Sequence, residues 1–224
     1  MNRCCLTICT LALVFSTIGA ARADQAAGLS AEEQDQGYVS LFNGANLDGW
    51  QGATDGYEAS DGLLKCKGET GGNLFTDKQY GDFSLRLEFK FPPGANNGVA
   101  IRAPLEGNPA HDGMEIQILD HDHPQYKDIK PWQAHGSIYG VVAAKRGHLK
   151  PTGEWNQQEI IADGDHIIVK LNGVVIVDAD IKKASTPKTI DGRPHPGLER
   201  DKGYIGFCGH GHDVDFRNLR VKEL

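Results

Sequence analysis

Phe83-Ser-Leu-Arg-Leu-Glu-Phe-Lys-Phe91 decides the fold class. Apolar and polar side chains alternate without interruption. Phe83, Leu85, Leu87, Phe89 and Phe91 therefore fall on one face of an extended chain, and Ser84, Arg86, Glu88 and Lys90 on the other. A period of two over nine residues is the mark of a half-buried β-strand. Downstream, three further strand-like runs between Trp155 and Asp178 are separated by Asp163-Gly164 and Asn172-Gly173. Both dipeptides tolerate the positive φ angles of tight hairpin turns, so the spacing predicts an antiparallel meander. Shorter runs at 39–42, 63–67, 73–76, 98–102, 114–119, 204–208 and 214–221 extend the pattern, and no segment after Gly37 carries a helical stripe. Ten or so short strands with glycine-rich turns predict an all-β chain built as a jelly-roll β-sandwich of two antiparallel sheets. Three connections are long, at 121–136, 143–153 and 179–202, and loops of that length in a compact domain tend to carry function.

The first residues lie outside that pattern. Arg3, an uncharged apolar run at 6–18 and Ala21-Arg22-Ala23 read as a signal peptide over 1–23, which implies export to the periplasm or the extracellular space. Residues 24–37 are polar and aperiodic and read as a flexible tether or a frayed helix, leaving one domain over 38–224. Removing the signal takes away Arg3 and Arg22 and no acid, so the net charge of −7 becomes −9. That balance argues against nucleic acid or an anionic membrane as partner. Of five cysteines only Cys66 and Cys208 remain after export, compatible with one disulfide or with two separately buried thiols.

Chemistry concentrates around 111–124. In Met114-Glu-Ile-Gln-Ile-Leu119 the aliphatic residues claim the core face, so Glu115 and Gln117 project from the other side of the sheet. By the same alternation Val99 and Ile101 are core and Arg102 projects beside them. If the two strands are neighbours, Arg102, Glu115 and Gln117 share one surface, either as a site or as a solvated face with an ion pair. Asp120, five positions after Glu115, joins it only if the strand bulges or has already ended. His121-Asp-His123 raises a metal question, with His135, His148, His210 and His212 in other loops as further ligand candidates. A divalent cation is thus a candidate cofactor, with no loop signature naming the metal. Trp132 and Tyr139, in polar loop surroundings, suit stacking on a sugar ring. No phosphate loop, dinucleotide fingerprint or Gly-x-Ser-x-Gly is present.

Six segments, in order, carry a resemblance: Leu41-Phe-Asn-Gly-Ala-Asn-Leu-Asp-Gly-Trp50, Gly113-Met-Glu-Ile-Gln-Ile-Leu-Asp120, Gly136-Ser-Ile-Tyr-Gly140, Gly153-Glu-Trp-Asn156, Leu171-Asn-Gly173 and Val214-Asp-Phe-Arg-Asn-Leu-Arg-Val221. Together they resemble the 3-keto-disaccharide hydrolase domain family of exported bacterial proteins, across 38–224. The resemblance implies a concanavalin A-like jelly roll and cleavage of glycosides whose glucose ring is already a ketone at C3. A separate sugar 3-dehydrogenase would have to supply that substrate. Such a ketone acidifies the C2 hydrogen, so a base can form an enediolate, the C1 substituent can leave by β-elimination, and water can add back. Within that scheme Glu115 or His135 is the expected base, Arg102 or a bound cation the electrophile, and Asp120 a cation ligand or an orienter of the base. Gln117, Trp132, Tyr139, Lys145 and His210 are expected to line the sugar pocket. Two other readings stay open: a non-catalytic, lectin-like carbohydrate-binding module, and a retaining glycosidase, because Glu115-x-Gln-x-x-Asp120 resembles the Glu-x-Asp-x-x-Glu strand of laminarinase-like enzymes.

Overall fold

The computed structural model describes residues 29–224, so the expected signal peptide and the first part of the expected tether lie outside the described residues. The strands are β1 (Val39–Ser40), β2 (Trp50–Gly52), β3 (Tyr57–Ser60), β4 (Leu63–Cys66), β5 (Gly72–Tyr80), β6 (Phe83–Lys90), β7 (Asn96–Ala103), β8 (Met114–Leu119), β9 (Asn156–Asp163), β10 (His166–Leu171), β11 (Val174–Asp180), β12 (Gly203–Gly209) and β13 (Val214–Glu223). They form two antiparallel sheets. One runs β11-β10-β9-β6-β13-β4-β3, with β1 also on β13; the other runs β2-β5-β12-β7-β8. This is the jelly-roll sandwich that the alternation predicts.

Strand β6 lies between β9 and β13 in the larger sheet, and Phe83, Leu85, Leu87 and Phe89, followed by Phe91 just past its end, point into a core shared by both sheets. Each such side chain contributes about 1.5–3 kcal/mol on burial. The opposite face of β6 is charged and paired: Arg86 with Glu159 at 2.7 Å, Glu88 with Arg217 at 2.8 Å and Lys90 with Asp215 at 3.1 Å. The meander β9-β10-β11 forms as expected, with Asn172 and Gly173 both at positive φ in its second turn.

Residues 31–35, expected to be tether or frayed helix, form a short helix, α1 (Ala31–Asp35), closed by a capping box between Ser30 and Glu33. Glu33 then pairs with Arg86 and Arg220 on β6 and β13. The tethering partners lie far away in sequence, where local polarity gives no sign of them. Two buried thiols, not a disulfide, occupy 66 and 208. Cys66 faces the core between the sheets, whereas Cys208 lies on the other side of the smaller sheet with Phe75, Ala100 and Ala103. A sheet separates the two side chains.

One surface ion cluster gives a pH signature. Burial opposes ionisation of Glu159, but Lys170 and Arg86, each at 2.7 Å, outweigh it and hold the carboxyl down to about 2 from 4.5. A depressed acid stabilises above its unfolded pKa and loses that contribution as pH falls through the folded value. Glu159→Gln should therefore cost about 1–2 kcal/mol near neutrality, discounted for the half-exposed cations. The gap from wild type, read from denaturant midpoints, should close between pH 4.5 and about 2.

Candidate functional site

Strands β7 and β8 are neighbours, with Gly98 opposite Gln117 and Ala100 opposite Glu115. Met114, Ile116 and Ile118 enter the core, so Glu115, Gln117 and Leu119 emerge on the outer face of the smaller sheet. The free edge of β8 is covered by 136–139: Gly136 N donates to Gln117 O (2.7 Å), Gln117 N to Ser137 O (3.0 Å) and Tyr139 N to Glu115 O (2.9 Å). The expected sugar-stacking residue Tyr139 is thereby pinned beside Glu115.

Together these elements enclose a cavity of about 250 Å³, lined by Asn96, Asn108, His111, Glu115, Gln117, Tyr126, Gln133, Tyr139, Arg193 and His210 among others. Four of its side chains carry buried polar atoms without a hydrogen-bond partner: Asn96 Oδ1, His111 Nε2, Glu115 Oε1 and Gln117 Oε1. An unpaired buried polar atom costs about 1–3 kcal/mol, so four on residues that line one cavity describe surroundings organised for a polar ligand. His210 Nε2 stands 3.6 Å from Glu115 Oε1, close enough to attract but too long for a full hydrogen bond. The interaction with Glu115 raises the His210 pKa above the ordinary histidine value, against the opposing effect of burial. Burial and the neighbouring Glu115 push the Cys208 thiol well up, which keeps it neutral.

Gly98 makes this arrangement possible. A Cβ there would sit 1.9 Å from Glu115 Oε1, so the carboxylate occupies the space a side chain would take. The Gly98→Ala protein should keep its fold at a cost of about 1–3 kcal/mol while displacing Glu115. NMR titration should then show His210 returning toward its ordinary pKa; an unmoved His210 would contradict the placement.

Of the expected site residues, Glu115, Gln117, Tyr139 and His210 line the cavity and the others do not. Arg102 is corrected outright. Two residues of β7, Ile101 and Arg102, stand between register positions that β12 spans with one, and Arg102 has φ +48°. This bulge re-aims the side chain. Its guanidinium, nearly fully buried, donates to Gly81 O (3.1 Å), Gly164 O (2.9 Å) and Asp82 Oδ1 (2.8 Å), away from Glu115. Asp120 follows the end of β8, and its Oδ2 accepts from Gly94 N at 2.8 Å, bracing the loop before β7. His135 lies in the interior against Phe89, with Nδ1 accepting from Leu119 N; burial, and then His121, take its pKa down to about 3. Trp132 packs edge-on against Tyr139 at 5.0 Å and so backs the cavity wall, while Lys145 is exposed and is held by its backbone to Ile176 O. His121-Asp-His123 splits up: His121 accepts from His135 N, Asp122 pairs with Arg146, and His123 caps Gln125 N.

Sequence reasoning missed Asn96, His111 and Arg193 in the lining, and Asp191 and His195 beside His111. His111 stands in α2 (Pro109–Asp112), whose side of the cavity it forms, and Asp191, Arg193 and His195 come from the long 179–202 connection. The length of that loop was the available signal. Among the described residues, His111, Asp191 and His195 form the group able to hold a metal ion, with ligand atoms all within 4.8 Å of one another.

Residues 37–222 match the sequence model of the 3-keto-alpha-glucoside-1,2-lyase-like domain. The chain belongs to this family. A family relative, the 3-keto-disaccharide hydrolase of Bacteroides thetaiotaomicron, is 28% identical, the alignment covering 84% of this chain and 79% of the relative. Two solved proteins of Parabacteroides distasonis, each described as a "putative glycosyl hydrolase", are also similar. One is 32% identical with a TM-score of 0.74, covering 84% of this chain and 99% of the other. The second is 26% identical with a TM-score of 0.75, covering 88% and 98%. The carbohydrate-binding module CBM66 of Bacillus subtilis, at 12% identity and a TM-score of 0.51, covers 80% of this chain and 98% of its own and shares the fold alone. Family membership thus agrees with a glycoside-hydrolase-like protein on a jelly roll.

Proposed function

We propose that this protein cleaves 3-keto glycosides at the cavity on the outer face of the smaller sheet, by elimination at C1 followed by rehydration. The observation that carries the reading is the convergence of Asn96, His111, Glu115 and Gln117, each with an unpartnered buried polar atom, on one sugar-sized space. A cavity of about 250 Å³ is slightly smaller than the usual range for drug-sized ligands and suits one ring more than a chain. The activity named for the Bacteroides relative supports the same substrate class.

In this reading Glu115 takes the C2 proton, and the electron pair of that bond forms the enediolate of C2 and C3. Collapse of the enediolate expels the C1 oxygen, whose new lone pair accepts a proton from the imidazolium of His210 or the phenol of Tyr139. Water adds at C1, the proton returns to C2, and the net change is hydrolysis. Two carboxylates flanking C1 are not needed, unlike in direct glycoside hydrolysis, and no second acid lines the cavity. His210 and Glu115 work as a pair because the Glu115 carboxylate favours the protonated form of His210. Export to the periplasm or beyond, and a separate sugar 3-dehydrogenase upstream, belong to the same proposal.

The test is a chromogenic glucoside compared with its 3-keto form in heavy water. Cleavage of the keto form alone, with deuterium at C2 of the released sugar, supports the proposal. Cleavage of the plain glucoside would point to a retaining glycosidase, and binding without turnover to a lectin-like module.

A further inference from the structure

Beside the part of the cavity wall that holds His111, a neutral His195 meets a conflict of lone pairs. His195 Nδ1 faces Ala110 O at 3.1 Å and must carry a hydrogen to donate. In the neutral ring that leaves Nε2 bare, yet Nε2 faces Asp191 Oδ2 at 3.1 Å, acceptor against acceptor. The other Asp191 oxygen, Oδ1, is already supplied by Thr189 Oγ1 and Arg193 N, both at 2.9 Å. His111 Nε2 points at the same Oδ2 from 3.9 Å and is buried without a partner. The His195 and Asp191 side chains are almost fully buried, and Gly140 backs them closely: a Cβ there would stand 2.5 Å from Asp191 Oδ2 and 2.7 Å from His195 Nε2.

Either a second proton or a cation can resolve the conflict. A proton on Nε2 would satisfy His195 and Asp191 but leave His111 Nε2 orphaned. A cation among the three satisfies all of them. We propose that His111, Asp191 and His195 bind one divalent transition-metal ion, with its open coordination positions facing the cavity. Ligand atoms each about 2.0–2.2 Å from such an ion lie about 3–4 Å from one another, the range of the 3.1 and 3.9 Å separations here. Two imidazoles and one carboxylate favour zinc, manganese, cobalt or iron over calcium or magnesium. The bond from His195 Nδ1 to Ala110 O is the outer support that fixes a metal-binding imidazole in the required tautomer. Of the charged groups acting on His111, Arg193 opposes a cation and Asp112 favours it, so the Asp191 carboxylate supplies the balance. Beside Arg193, which also lines the cavity, the ion would supply an electrophile for the C3 oxygen. That role for the ion rests on the 3-keto reading; its binding does not.

The deciding experiment uses the chelator-stripped protein without sugar, titrated calorimetrically with zinc, manganese and cobalt chlorides in turn, with cobalt absorption reporting the ligand set. One equivalent per chain is expected for at least one metal. His111→Ala and Asp191→Asn should each weaken binding at least ~100-fold, while His212→Ala on an exposed loop should leave it unchanged. If Asp191→Asn fails to fold, as judged by circular dichroism, His111→Ala decides the matter from the cavity surface. Absence of stoichiometric binding, or binding indifferent to His111→Ala, overturns the site. Metal binding with no keto-sugar turnover would instead count against the proposed function alone.

Discussion

The Glu115→Gln protein should fold normally and lose about 10²–10⁴ in kcat/KM toward a 3-keto glucoside, the usual contribution of a positioned general base. The amide matches the carboxylate in size and keeps its place over Gly98, so packing is undisturbed. It cannot accept the C2 proton. The same substitution removes the charge that raises the His210 pKa, so that pKa should fall toward the ordinary histidine value. Because a raised histidine stabilises below its unfolded pKa and loses that contribution as pH rises through the folded one, wild type and variant should differ in stability most on the acid side. Histidine NMR and single-turnover assays read the two effects independently. Unchanged turnover would remove Glu115 from the chemistry even if His210 moved as expected.

Arg102→Ala should act in the opposite sense, on stability more than on chemistry. Its guanidinium joins the turn before β6, through Gly81 O and Asp82, to the β9–β10 hairpin at Gly164 O. Truncation leaves two carbonyls and part of a carboxylate without their donor and opens a void where a nearly fully buried side chain stood. A loss of about 2–4 kcal/mol is expected, from the void and the carbonyls left without a donor, and should appear as a lower denaturant midpoint. Molecules that remain folded should bind sugar with near-native affinity, since the bulge points this side chain away from the cavity. A folded, stable Arg102→Ala protein that fails to bind would return Arg102 to the site.

The contrast between these residues shows how far sequence reading reaches. Glu115 and Gln117 were legible because strand alternation assigns faces locally, and Met114, Ile116 and Ile118 leave no doubt which face is core. Arg102 obeyed the same pattern on paper and escaped it through one extra residue in β7 opposite β12. A bulge depends on the partner strand, so no reading of 98–103 alone could locate it. His135 and Asp120 have the residue types of a site and lie near the motif, but burial beside Phe89 and a bond to Gly94 N depend on contacts across loops. His111, Asp191 and His195 meet only because α2 and the 179–202 connection pack side by side; His111 and His195 are 84 positions apart, with ring centroids separated by 4.6 Å.

The sequence by itself determined the sandwich, the core faces of β6 and β8, the meander turns and the outward direction of Glu115 and Gln117. Each follows from period-two alternation and from the φ preferences of Asn and Gly, which act within a few residues. The tertiary structure alone decided that Cys66 and Cys208 face opposite sides of a sheet, that Arg102 serves as an anchor, and that Asp191 and His195 stand beside the cavity-lining His111. Those outcomes depend on strand register, on a bulge and on loop packing, which are settled when distant segments meet and compete for the same space.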